Sequence, residues 1–131
     1  MNISLYLANA ILNHVFRNIP YTSPENIYVA LYTTNPTAAD TGQEVSGGGY
    51  TRLKVVFGPP ATEGGKPTIK NAADIAYAIA TASWGTVSHI GTRDALTGGN
   101  LLYFGPLESP RSILANDVFK LLTGNIVQTL S

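Results

Sequence analysis

Ala82-Ser83-Trp84-Gly85-Thr86-Val87-Ser88-His89-Ile90-Gly91-Thr92-Arg93-Asp94-Ala95-Leu96-Thr97-Gly98-Gly99-Asn100-Leu101-Leu102-Tyr103-Phe104-Gly105-Pro106-Leu107 writes two β-strands and the turn between them in one run. From Thr86 to Asp94 the residues are small, β-branched or aromatic enough to pleat, and Leu101 to Phe104 pleats again. Between them, Thr97-Gly98-Gly99-Asn100 tolerates positive φ, so the stretch predicts a hairpin. Within it, Asp94 and Asn100 are expected to satisfy backbone N–H groups of the turn, and Gly98 and Gly99 to make it. Trp84, the single tryptophan, is expected to fill the core.

Outward from the hairpin, the chain predicts short strands. Ile27 to Thr33 alternates with both faces partly covered. A long polar loop, Thr34 to Gly49, ends in Ser46-Gly47-Gly48-Gly49. Tyr50 to Phe57 alternates next, with Leu53, Val55 and Phe57 facing the core and Arg52 and Lys54 facing out. Ala61 to Lys66 reads as a loop, Pro67 to Asn71 as a short strand and Ala72 to Ala82 as a strand, since Ile75, Tyr77 and Ile79 alternate. Short strands near 112–114, 118–122 and 126–130 close the chain, separated by the turns Ala115-Asn116-Asp117 and Gly124-Asn125. One helix is expected, over about 3–17, because Leu5, Ala8, Leu12 and Val15 recur at helical spacing, Asn2 or Ser4 can cap it and Pro20 follows. Its apolar stripe is expected to dock on its own sheet; the alternative is a subunit contact. The reading is mainly β: one antiparallel, jelly-roll-like β-sandwich domain over 1–131 with an N-terminal α-helix.

Composition narrows the classes of function. Charged residues are 12% of the 131-residue chain, and Lys plus Arg balance Asp plus Glu at eight each. A neutral balance argues against nucleic acid as partner, because phosphate binding needs clustered cations. The zero cysteines exclude disulfides and thiolate metal sites. Asn9, Asn13, His14 and Arg17 interrupt the N-terminal apolar run well short of the ~20 residues of a membrane span. No basic segment precedes that run, so no leader peptide is expected, and synthesis in the cytoplasm is the default.

The chemical motifs are weak. Gly47-Gly48-Gly49 lacks the Lys-Ser or Lys-Thr pair of a phosphate loop. Ser88, His89 and Asp94 are the residue types of a hydrolase triad, but neighbours on a pleated strand point to opposite faces, so Ser88 is not expected to meet His89. His89 reads as a half-buried, hydrogen-bonded imidazole. His14 has no partner at three or four residues for a metal, and Asp74, Asp94, Glu108 and Asp117 show no pairing of the kind glycoside hydrolysis uses. No catalytic residue, cofactor site or metal site is expected.

Four segments carry a resemblance. Ala30-Leu31-Tyr32-Thr33-Thr34-Asn35-Pro36-Thr37, Glu44-Val45-Ser46-Gly47-Gly48-Gly49-Tyr50-Thr51-Arg52, Ala82-Ser83-Trp84-Gly85-Thr86-Val87-Ser88-His89, and Asp94-Ala95 with Thr97-Gly98-Gly99-Asn100 together resemble a family of small tailed-bacteriophage virion structural proteins. The likeness runs over nearly the whole chain, including the Ala115-Asn116-Asp117 turn. It departs at Thr92-Arg93, where an apolar pair is expected, which puts the burial of that strand face in question. The resemblance implies no enzyme and no cofactor. It implies a virion protein made in the host cytoplasm, of a kind often labelled tail fibre or minor tail protein. The small size of the chain leads first to the expectation of a capsid-decorating cement protein, a homotrimer seated on the major capsid protein; the alternative is a tail fibre or minor tail component that contacts tail proteins or a host receptor. Neither nucleic acid nor membrane is an implied partner. Ser46, Gly47, Gly48, Gly49, Tyr50, Arg52 and Tyr32 are the candidate interface, with tyrosines as anchors.

Overall fold

A computed structural model describes residues 1–130. Of the expected domain 1–131, the last residue lies outside the described residues. The fold is mainly β, with antiparallel sheets and one helix near the N-terminus. The main sheet has five strands: β1 (Asn2–Ile3), β8 (Leu101–Ile113), β7 (Gly85–Arg93), β2 (Ile27–Tyr32) and β3 (Leu53–Val55), in that spatial order. A three-stranded sheet of β10 (Val127–Thr129), β5 (Lys66–Lys70) and β4 (Ala61–Glu63) and a two-stranded one of β6 (Ile75–Ala76) and β9 (Lys120–Leu121) complete the sandwich. Between these layers lies the main core, where Val29, Leu31, Val87 and Ile90 of the large sheet pack with Ile75, Tyr77, Trp84, Phe119, Leu121 and Ile126.

The expected hairpin is the spine of the fold. β7 and β8 pair antiparallel from Arg93↔Leu101 to Gly85↔Ile113. The second strand runs on past Pro106 and Pro110 and absorbs the separate strand expected near 112–114. It does so through a bulge: His89 pairs with Pro106 and Val87 with Arg111, which leaves Leu107 to Pro110 opposite Ser88. Prolines cannot donate to a ladder, and Pro110 falls where the pairing is interrupted while Pro106 flanks the interruption.

Other expectations need correction. The strand over 50–57 shortens to Leu53–Val55, because Arg52 is drawn inward and is 8% exposed. It does not face out with Lys54. Residues 61–66, expected as a loop, hold β4, the Gly64-Gly65 turn and the start of β5. The strand expected over 72–82 pairs only at Ile75 and Ala76. The helix α1 (Leu5–Phe16) is capped by Ser4, whose Oγ accepts from Leu7 N at 3.1 Å, while Ser4 N donates to Leu102 O at 2.8 Å. The cap thus pins the helix start to β8. None of the helix is fully buried. Leu7 and Ile11 lean over the body, whereas Leu5, Leu12 and Val15 of the expected buried stripe are exposed, as is Phe16. The apolar arc is wider than the edge of helix that meets the sheet.

Trp84 closes the core as expected, at 4% exposure. Its ring stands edge-on to Tyr50 at 5.6 Å and to Tyr77 at 6.1 Å, and its Nε1 donates to Gly48 O at 2.8 Å. Gly48 has φ +60, and a Cβ there would meet the indole at 2.8 Å. Only glycine lets the loop lie on the tryptophan. Trp84→Ala is expected to cost about 3–5 kcal/mol, read by denaturant unfolding; an unchanged midpoint would place the ring outside the cooperative core.

Candidate functional site

The loop between β2 and β3 meets the β7–β8 turn at one face of the molecule, and two arginines join them. Arg52 reaches Glu44 twice, Nε to Oε2 at 2.9 Å and Nη2 to Oε1 at 2.7 Å. Its Nη1 donates to Ala95 O and Gly98 O, both at 2.8 Å. Arg93 makes the same bidentate contact with Asp40, at 2.8 and 2.9 Å, and donates to Tyr32 Oη at 2.9 Å. It also donates to Gly98 O at 3.2 Å and Gly99 O at 3.0 Å. The Gly98 carbonyl therefore accepts from both guanidinium groups.

Burial and pairing compete at these charges. Burial disfavours the Arg93 cation, but its bonds to Asp40 and Tyr32 outweigh that and raise its pKa. Burial pushes the Glu44 carboxyl up, while hydrogen bonds from Arg52 and Tyr50 bring it below its ordinary value. The Tyr50 hydroxyl, raised by burial and by Glu44, donates to Glu44 Oε2 at 2.6 Å and accepts from Leu31 N at 3.0 Å.

The expected interface residues thus divide. Tyr32, at 1% exposure, and Arg52 lie inside and build the surface without presenting it. Ser46, Gly47 and Gly49 are exposed, Gly48 and Tyr50 partly so. This loop is held by its own chain: Gly48 O accepts from Thr81 N at 2.9 Å as well as from the indole, and Tyr50 stacks on Tyr77 at 6.0 Å. In the turn, Asp94 accepts from Asn100 N at 2.7 Å and Nδ2 at 3.1 Å, and Gly98 and Gly99 have φ +62 and +70. A Cβ on Gly99 would collide with Asp94 Oδ1. Arg93, the departure from the expected apolar pair, is the residue that sequence reasoning left unplaced. Its strand face is buried after all, with the charge matched by Asp40 across the fold.

Ser88 and His89 do meet, Oγ to Nδ1 at 2.8 Å, contrary to the simple alternation of a strand. The bulge at Ser88 breaks that alternation. Burial lowers the His89 pKa, which favours the neutral ring. Among the described residues no carboxylate hydrogen-bonds His89, so no third member orients it. No group of three or more His, Asp or Glu among those residues could hold a metal ion, and no helix is long and apolar enough to cross a membrane. On the opposite side of the main sheet, Leu7 and Ile11 of α1 roof an apolar groove of about 330 Å³, walled by Ile27, Phe57 and Ile69 and containing Gln128.

Two outcomes test the arginine clasp. Because Glu44 titrates below its unfolded value of 4.5, its contribution to stability is present above that pH and is lost as pH falls through the folded pKa. Glu44→Gln should lower stability at pH 7 by about 1.5–3 kcal/mol and flatten the acid limb of a stability–pH profile; parallel profiles would exclude the linkage. Arg52→Ala and Arg93→Ala should be non-additive by about 0.5–3 kcal/mol in a double-mutant cycle, since they share one acceptor. Strict additivity would show that the two act separately.

A search of curated proteins finds no match to the chain. A family model described as podophage GP4 fiber I protein gp80 matches residues 2–129. That span takes in the helix, the hairpin and both arginine pairs. The chain belongs to this family of podophage fibre proteins and is a phage virion structural protein.

Proposed function

We propose that this protein is a subunit of the podophage tail fibre that works by contact and not by catalysis. The observation that carries the reading is the family match over residues 2–129. The physics of the site supports it. The loops at the arginine clasp are tied down by their own chain, so little conformational entropy remains to be lost when a partner docks. The two charged pairs are spent internally, and Ser88-His89 lacks an orienting acid, which suits a structural role better than hydrolysis.

In this reading the protein needs no cofactor and takes neither nucleic acid nor membrane as partner. It associates with copies of itself, as a homotrimer, and with other tail proteins, and the exposed Ser46, Gly47 and Gly49 lie where a tail protein or host receptor can touch them. Each such contact gains roughly 25 cal/mol per Å² of apolar surface covered, and repetition of copies multiplies a modest gain. The second reading, a capsid cement on the major capsid protein, is favoured by the small size and sparse charge of the chain. The family description favours the fibre.

Cryo-EM of intact particles, with the chain identified by its side chains in density, separates the two. Density confined to the tail, in a few copies, is expected. Copies distributed over the capsid lattice would overturn the fibre reading in favour of cement.

A further inference from the structure

The bulge in the β7–β8 pairing does more than bring Ser88 to His89. Its β8 side, together with β9 and the turn at Gly124-Asn125, lines a cleft of about 380 Å³, which falls within the ~300–1,000 Å³ of ligand pockets. Glu108, Ser109 and Arg111 come to it from β8, Lys120 from β9 and Asn125 from the turn. Ile90, Phe119 and Leu121, all buried, bring apolar surface to the same cleft. Among the described residues, the side chains of Glu108, Ser109, Arg111 and Asn125 hydrogen-bond to no other residue. Exposed polar groups are ordinarily solvated one by one; these converge on a single hollow.

We propose that this cleft binds an uncharged saccharide, a pyranose ring or a pair of rings with adjacent hydroxyl groups. The proposal gives the host-receptor contact of the proposed function a ligand class and a place, and rests on that reading for its purpose. Charge is the first selector. Glu108 and Arg111 oppose each other in sign within one strand, and Lys120 is matched by Asp74 at 3.4 Å. An anion would meet Glu108 and a cation Arg111, so a ligand without net charge is the one that neither repels. Hydrogen-bond type is the second. A carboxylate only accepts, a guanidinium and an ammonium only donate, and an amide and a hydroxyl do both. A row of hydroxyl groups, each donor and acceptor at once, can answer all five.

Two further features fit a sugar and disfavour a peptide. The guanidinium carbon of Arg111 lies 5.7 Å from the centre of the Phe119 ring, a cation–π contact that sets its posture without using any of its N–H groups. A donor fork held in place before the ligand arrives loses less entropy on binding. An extended peptide, by contrast, binds by adding a strand to backbone N–H and C=O groups. On the β8 side of the cleft Pro106 and Pro110 carry no N–H, so that edge is poor in main-chain donors and recognition falls to side chains.

The test is a titration of the full chain followed by its backbone amide NMR shifts. The probes are glucose, galactose, N-acetylglucosamine and maltose, with acetate, inorganic phosphate and a blocked alanine tripeptide as the competing chemistries. At least one sugar is expected to shift the amides of Glu108, Ser109, Lys120 and Asn125 saturably, with a Kd on the order of 1 mM. Asn125→Ala and Glu108→Ala should each weaken that binding about tenfold. Both residues are exposed, so the variants should keep a dispersed spectrum. Lys54→Ala, at an exposed cation of β3, should leave the affinity unchanged. Adjacent hydroxyls are common to all four sugars, so a lack of saturable shifts with every one of them would overturn the proposal. Sugar shifts that both cleft variants leave intact would overturn the location. Shifts of these amides by acetate, phosphate or the tripeptide but by no sugar would overturn the ligand class. None of these results touches the position of the chain in the particle, so the fibre reading and the cleft can fail separately.

Discussion

One backbone oxygen, that of Gly98, accepts hydrogen bonds from two arginines whose carboxylate partners come from the same long loop. Remove this convergence and three segments lose their common anchor: the β2–β3 loop through Asp40 and Glu44, the β2 strand end through Tyr32, and the β7–β8 turn through Ala95, Gly98 and Gly99. Taking a guanidinium out of water is costly, and only near-complete hydrogen bonding makes it tolerable. Here both guanidinium groups are bidentate to carboxylates; Arg93 places its other N–H groups on two carbonyls and a hydroxyl, and Arg52 Nη1 takes two carbonyls. The cost of burying the charges is therefore met only in one arrangement of the loops, which is how a pair of ions can specify a conformation.

The aromatic layer beneath the clasp depends on that arrangement. Tyr50 is shared between them, its hydroxyl in the Glu44 network and its ring against Tyr77 and Trp84. Tyr77 in turn donates to Val29 O at 2.8 Å and packs on Phe119. A chain of contacts thus runs from the loop surface through the core to the small sheets. The loops, the hairpin and the core are thus joined in one continuous set of contacts.

The helix stands outside this economy of contacts. Its start is fastened to β8 through Ser4, and only its Leu7–Ile11 edge leans on the sheet, so most of its apolar arc contributes nothing to the folded monomer. An amphipathic helix is stable chiefly through what it packs against.

The sequence by itself determined what depends on near neighbours in the chain. Alternation and the Gly98-Gly99 turn determined the hairpin, Ser4 and the 3–4 spacing determined the helix, and the combined turn signatures pointed to a phage virion family. Only the tertiary structure decided matters that depend on residues far apart. Alternation put Arg52 on the outer face because a strand rule sees only its neighbours, whereas Glu44 and the distant Gly98 carbonyl draw it in. Arg93 reads as a misfit until Asp40 arrives from 53 residues away. Ser88 and His89 touch because a bulge, with Leu107 to Pro110 of the partner strand opposite Ser88, breaks the two-residue period, and helical spacing cannot tell which part of an apolar arc its own sheet will cover. Local periodicity encodes direction relative to the backbone; burial is a property of what the rest of the chain brings to that direction.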